Sequence, residues 1–551
     1  MCCFCLISCN NRSGDKKLIS DPAKMDNETG KRIKNALEFA LQHNGDVDDS
    51  LRLKLPAVVN EFYSQNEYEN IWSHKAKWNS LTDSLINFIE TGEEYGLFPK
   101  DYQIKKIRNL KNILDRDSLK RMDADLWTRA DLMLTDGFMH LIKDLHFGRL
   151  DNDSVYFNKN DTSAKQELYV TSLKALVSNN SITQIAHTVE PKHKGYEDLK
   201  NCIPDFLSKM DKKLYTYIKY PYKANNVKDS QLFIKTIQKR LKESDIANKV
   251  IIFDSTQLKL AIKRFQKKKG IKQDGKVTAA LINILNTSDL ERFKRIVITL
   301  DRYKQLPSVM PEKYIWVNLP GYYLKVWDHD SIAIESKIIC GKPESRTPLL
   351  YSIISDMIIY PTWTVPSSII SKQYLPKLKN NPNYLAGIGL RLQNAKGETV
   401  NPYEINWSKY SKGIPFKVVQ ASGDDNALGI MKFNFNNPYS VYLHDTNQRY
   451  LFKNAARALS HGCVRVQQWE ELAYFIASND SVNLKPGDKL RYNKDSIINW
   501  LAIKEKRRIA VKSGIPLFIA YFSCEAKDGK IKFYDDIYAD DKLKREIYFS
   551  K

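Results

Sequence analysis

The string SHGCVR sets a hydroxyl, an imidazole, a glycine, a thiol and a guanidinium within Ser460 to Arg465, and a second imidazole, His444, ends the strand-like run SVYLH upstream. Three uses compete for such a cysteine: nucleophile, metal ligand, or small buried hydrophobe. As a nucleophile, Cys463 has nearby what a thiolate needs, with His444 as base and Arg465 as cation. Gly462 lets the backbone turn sharply, so the N–H groups of Gly462 and Cys463 can aim at a developing oxyanion. The chemistry favoured is acyl transfer through a thioester. A zinc site from His444, His461 and Cys463 is disfavoured, because one residue separates His461 from Cys463 and no fourth ligand presents itself. Burial as a small hydrophobe suits the isolated Cys340 and Cys524 better than a cysteine set among Gly, His and Arg.

Alternation along SVYLH puts Val441 and Leu443 on one face and Tyr442 and His444 on the other. Phenol and imidazole therefore stand side by side, ahead of a loop that begins at Asp445. Beyond the thiol, Trp469, Leu472, Ala473 and Ile476 recur at helical spacing. That spacing predicts Cys463 in a tight loop just before a helix N-terminus, a place that favours the anion. After Pro311, KYIWVNLPGYYLKVWDHDSIAIESKIICGK and LLYSIISDMIIYPTWTVP alternate and are rich in β-branched and aromatic residues, predicting a mostly antiparallel β domain.

Ahead of it the periodicity is helical. LPAVVNEFYSQNEYENIW, LTDSLINFIETGEEYGLFPKDY and ADLMLTDGFMHLIKDLHFGRL each carry apolar residues at helical spacing, with Gly96 and Pro99 ending the second. His140 and His146, set among Met, Leu and Phe, read as helix-packing side chains. Residues 151–220 read as more of the same helical body. In 227–287, Leu232, Ile237 and Leu241 are expected on one stripe, followed by Leu258, Ile262 and Phe265, then Leu281 and Leu285. KGIKQDGKVT supplies Gly270 and the Asp274–Gly275 turn between helices, and the basic residues from Lys263 to Lys272 read as a solvated face.

Over 551 residues, 86 basic against 64 acidic side chains leave a net charge of +22, which implies anionic surroundings. The basic residues are widely spread and form no nucleic-acid recognition module, so no nucleic-acid partner is expected. An acidic polymer such as a cell envelope is consistent, and charge alone does not choose. No apolar run reaches the ~18 residues of a membrane-spanning helix. The eight cysteines form no CxxC pair in the body of the chain. At the N-terminus, LISC resembles a bacterial lipobox, which implies a lipidated Cys9 and an anchor in the inner or outer membrane; the short apolar run and the missing basic region before it depart from that pattern.

Residues 227–287, with AIKRFQ and the following KKKGIKQDG, resemble the three-helix peptidoglycan-binding domain, as a module that grips glycan or merely braces its neighbour. A His, a strand-to-loop stretch and then SHGCVR are similar to the signature of L,D-transpeptidase catalytic domains. SRTPLL, YPTWTVPSSI, YLPKLKNNPNYL, NALGIMKFNFNNPYSVYLHDT and the tail IPLFIAYFSCEAKDGKIKFYDDIYADD follow the order of that family's large multidomain Gram-negative branch. The resemblance implies a multidomain α+β chain. Residues 1–25 would be a signal or lipobox-like start with a linker, 26–226 a helical scaffold and 227–290 the peptidoglycan-binding-like module. The catalytic domain would span 291–551, mostly β, with a lid insertion at about 367–440 and C-terminal strands at about 515–545.

Carried over position by position, the resemblance makes Cys463 the nucleophile and His444 its base, with the Asp445 carbonyl orienting the imidazole. Ser460, His461 and Gly462 would shape the oxyanion loop, and Arg465 would hold that loop or a substrate carboxylate. Tyr442 would line the donor groove, as would Trp363, for which plain core packing is an equal alternative. Asn426, Gly429 and Lys432 belong to the motif leading into the strand and receive no role. No cofactor or metal is called for. The implied activity is 3→3 cross-linking of peptidoglycan tetrapeptide stems in the periplasm, with carbapenem β-lactams as covalent inhibitors. Alternatives are an L,D-carboxypeptidase using the same acyl-enzyme, and a non-catalytic envelope-binding protein.

Overall fold

The computed structural model describes residues 18–549 apart from 151–161, 180, 221–226, 245–253, 485, 486, 488, 490 and 491. Cys9 and its surroundings lie outside the described residues. Helix Ala124–His146 is buried on nearly every side, Leu132, Leu134, Phe138 and Leu141 included, and Asp131, Asp136 and Asp144 with them. Helices Met25–Gln42, Pro56–Gln65, Ile104–Arg116 and Thr162–Asn179 pack around it. Each buried apolar side chain of this size contributes roughly 1.5–3 kcal/mol. The carboxylates inside the bundle are satisfied: Asp136 accepts from the N–H groups of Lys54 and Leu55, and Asp131 from those of Ile71 and Trp72. Both histidines pack as expected. His146 places Nδ1 2.6 Å from the Val189 carbonyl, and burial pushes His140 down to about 4.

Helices Val227–Glu243, Ser255–Lys268 and Ala279–Asn286 enclose a separate small core of Ile237, Leu241, Leu258, Ile262, Phe265, Leu281 and Leu285. Leu232, expected on that stripe, is 66% exposed. It stands five positions before Ile237, about 140° around the helix, whereas Phe233, four before it, packs on the core. Gly270 and Gly275 have φ of 66° and 68°; the Gly275 N–H donates to Gln266 Oε1 at 2.9 Å, tying the turn to the preceding helix.

The β domain is a closed ring of eight strands: β1 Lys313–Asn318, β2 Tyr323–Asp328, β3 Ser331–Gly341, β4 Leu350–Ile359, β5 Met431–Phe435, β6 Leu443–His444, β7 Val464–Val466 and β8 Pro516–Ala520. Around the ring the order is β5, β6, β7, β3, β2, β1, β8, β4 and back to β5. Most pairs are antiparallel as expected, but β6–β7 and β1–β8 are parallel. Val317, Leu324, Ile338, Met357, Phe433, Leu443 and Val464 meet inside. Cys340 and Cys524 are fully buried, as expected of small hydrophobes. Helix Asp289–Lys304 joins the ring to the helical bundle through a shared core that includes Leu150, Tyr196, Phe293, Leu300, Trp316 and Phe518.

Between β4 and β5 the chain leaves the ring. Strands Trp363–Thr364, Leu390–Gln393 and Lys417–Gln420 form a small sheet, and short helices close over Val365, Leu378, Leu392, Trp407 and Val418. The inserted unit ends earlier than the expected 440, because Met431, Phe433 and Phe435 are buried in the ring as β5.

Candidate active site

Three adjacent strands build the site. β6 and β7 run parallel with Leu443 opposite Val464 and His444 opposite Arg465; the Val464 N–H donates to the Tyr442 carbonyl at 3.1 Å. Leu443 and Val464 point inward and are fully buried. Alternation then turns Tyr442, His444, Cys463 and Arg465 to the other face. The nucleophile and base expected from the sequence thus share one face as diagonal neighbours, a relation that in sheets leaves Cβ atoms roughly 7 Å apart. On the other side of β6, Lys432 of β5 stands opposite His444.

Cys463 precedes β7 and not a helix, which corrects the loop-before-helix expectation: the helix starts only at Trp469. The thiol therefore lacks direct help from a helix terminus, and burial pushes it above its ordinary value. Opposing that shift are the Tyr442 backbone N–H and phenol, then the charges of Lys432 and Arg465. His444 is held down to about 3, by burial first and the neighbouring Arg465 next; the backbone carbonyls of Asp445 and Leu428 act the other way. Its Nδ1 is buried without a hydrogen bond.

The loop ahead of the thiol is fixed from three directions. Ser460 Oγ donates to the Cys463 carbonyl at 2.6 Å and accepts from the Gly462 N–H at 3.1 Å. Thr347 Oγ1 donates to the Gly462 carbonyl at 2.7 Å, and the Lys342 N–H donates to the Ser460 carbonyl at 2.9 Å. Gly462, at φ 127°, takes a backbone angle that side chains disfavour. Its N–H is spent on Ser460, which corrects the expectation of two free oxyanion donors; the Cys463 N–H makes no such bond among the described residues.

Asp445 is fully buried, its carboxylate accepting from Arg449 Nη2 at 2.6 Å and from the Ile430 N–H at 3.0 Å. Gly429, at φ 64°, lies against it: a Cβ there would stand 2.3 Å from Asp445 Oδ2. Arg465 reaches Gln448 Oε1 through Nη1 at 3.0 Å while its Nε is buried without a partner. The Tyr442 phenol stands near both Trp363 and the Cys463 thiol. His461 is exposed and bonds Gln373 of the inserted unit.

Two residues at the site received no role from the sequence, Gln373 unnamed and Lys432 named only as part of the motif. Gln373 lies nearly ninety positions from its partner and carries no signal in the sequence. Lys432 had one: in MKFNF it alternates with Met431, Phe433 and Phe435, so it had to leave the ring on the opposite face.

Residues 57–202 match a family described as a scaffold domain, and residues 312–484 match the L,D-transpeptidase catalytic domain. A Haemophilus influenzae protein named "Putative L,D-transpeptidase" is 33% identical over 249 residues, 45% of this chain and 48% of that protein. The chain thus spans about half the length of this curated relative. His444 to Arg465 falls inside the matched catalytic segment, on the ring described above, and the matched scaffold segment precedes it; residues 312–484 are similar to the L,D-transpeptidase catalytic domain, and the scaffold ahead of them fits that family's large multidomain form.

Proposed function

We propose that this chain is an envelope acyltransferase that cross-links peptidoglycan stem peptides through a thioester on Cys463. The observation that carries the reading is the parallel register of β6 and β7, which sets thiol and imidazole on one face. Cys463 Sγ attacks the carbonyl of the third stem residue, an L-configured centre bonded to D-Ala, and the thiol proton passes to His444. Burial and the neighbouring Arg465 keep His444 neutral at rest, so its ring carries a lone pair for that proton. The Cys463 N–H faces the oxyanion, which develops as the C–S bond forms. The C–N bond then breaks, D-Ala leaves with the proton from His444, and the thioester remains. The side-chain amine of a diamino acid on a second stem attacks next: its new C–N bond replaces the C–S bond, His444 takes the amine proton and passes it on to the released sulfur, and the 3→3 link is made.

Arg465, with a buried Nε lacking a partner, offers its guanidinium to a stem carboxylate. Tyr442 and Trp363 form one wall of the donor groove, and the inserted unit bearing Gln373 covers it. The module at 227–290 either grips glycan or braces the ring. Among the described residues no helix is long and apolar enough to cross a membrane, and we assign the chain to the periplasm with Cys9 as its lipid anchor. Incorporation of a palmitate analogue, lost in Cys9→Ala, tests the anchor.

The activity is tested by intact mass after incubation with a tetrapeptide muropeptide or a carbapenem. Wild type should gain one acyl adduct and Cys463→Ala none; an adduct that persists in Cys463→Ala sinks the assignment.

A further inference from the structure

The ring carries, near the thiol, a cation that forms no direct ion pair with a carboxylate among the described residues. Lys432 pairs with His444 across β5 and β6, so its side chain leaves the sheet on the face of Tyr442, His444 and Cys463. Its Nζ lies 4.0 Å from the centre of the Tyr442 ring, and the β6–β7 register sets Tyr442 beside Cys463. Lys432 is half-buried, and among the described residues its ammonium makes no hydrogen bond or ion pair. The carboxylates within range are engaged elsewhere. Asp356 accepts from Asn434 Nδ2 at 2.7 Å and from Arg508 Nε at 3.3 Å, and Asp445 is held by Arg449 and the Ile430 N–H.

Apart from Asp356, the groups around this spot are neutral or cationic: His444 and Tyr442 on β6, Arg465 on β7, Arg508 beside β4, Trp363 from the inserted unit, and His461 with Lys342 on the loop. A half-buried ammonium without a counter-charge is costly. Asp356, the carboxylate in range, is shared with Asn434 and Arg508, which leaves the Cys463 thiol as the group around the ammonium able to gain a negative charge on ionising.

We propose that Lys432 is the counter-ion of the Cys463 thiolate, a positioning residue that stabilises charge on sulfur before attack and again when the thioester collapses. The S–H bond breaks with its electron pair left on sulfur, the proton goes to the His444 ring, and Lys432 keeps its charge throughout. When the acceptor amine expels the thiolate, the pair of the C–S bond returns to sulfur beside the same ammonium. Lysine supplies a fixed charge beside the sulfur, and histidine carries the proton between thiol, leaving group and acceptor. The proposal rests on Cys463 being the nucleophile, but its test needs no substrate.

The test is the pH profile of iodoacetamide alkylation at Cys463, read by peptide mapping of the full chain, for wild type, Lys432→Met and Lys432→Arg. Lys432→Met should raise the midpoint by about one pH unit and slow alkylation at neutral pH ~10-fold, with Lys432→Arg close to wild type. A Met profile that superimposes on wild type overturns the proposal, as does an Arg variant displaced as far as Met. Should Lys432→Met lose the native near-ultraviolet circular dichroism, Lys432→Gln takes its place under the same criteria. A parallel carbapenem incubation separates the two readings. A Lys432-dependent thiol that never acylates leaves the counter-ion standing and removes the transpeptidase; an acylated thiol indifferent to Lys432 does the reverse.

Discussion

His444 and Arg465 stand opposite each other in the parallel ladder of β6 and β7, so a buried imidazole shares one face with a guanidinium. Burial disfavours the charged ring and the adjacent cation adds to it, which is why His444 is held down to about 3. Burial also raises the Cys463 thiol. The resting pair at neutral pH is therefore a thiol and a neutral base, and not a thiolate–imidazolium pair.

The rate of Cys463 alkylation should then climb with pH through one ionisation above neutrality, with no inflection between pH 5 and 7. An inflection near 6.5 that disappears in His444→Ala would contradict the neutral pair. The same His444→Ala variant should slow acylation by a carbapenem ~100–10,000-fold, the usual value of a positioned base.

Gly429 is closed to any side chain by both its backbone angle and the Asp445 carboxylate. Gly429→Ala should destabilise the ring by about 1–3 kcal/mol and displace the segment that carries His444. Thermal unfolding and acylation rate should fall together; a variant as stable and as fast as wild type would show that Asp445 yields freely.

Thr347 bridges two buried backbone groups, accepting from the Gly341 N–H at 2.9 Å and donating to the Gly462 carbonyl at 2.7 Å. Thr347→Val keeps the shape and strands both groups, at about 1–3 kcal/mol each way of counting. The catalytic loop should loosen, so acylation should slow even at temperatures where the variant is fully folded. Unchanged acylation there would mean that Ser460 alone holds the loop.

In the three-helix module, Ile237 is fully buried and Leu232 is not. Ile237→Ala should cost ~2–5 kcal/mol and Leu232→Ala no more than ~0.5 kcal/mol, measured by denaturant unfolding. Equal losses would place Leu232 in the core after all.

How much of this was readable beforehand divides by range. Alternation along SVYLH placed Tyr442 with His444 and Val441 with Leu443, and the structure keeps both pairs, because side chains in a strand alternate whatever the strand pairs with. Helical spacing found the cores at Ala124–His146 and Ser255–Lys268 for the same local reason. It failed at Leu232, where a stripe allows two neighbouring phases and only packing selects one.

The residue types around Cys463, and with them the proposed cysteine acyl-transfer chemistry, are legible in the sequence itself. Tertiary structure alone decided that β6 and β7 run parallel, that Lys432 stands opposite His444, that the Gly462 N–H is consumed by Ser460, and that Gln373 reaches His461. Strand direction and register depend on hydrogen bonds between segments far apart in the chain, and burial depends on what covers a group. Neither quantity exists until the ring has closed.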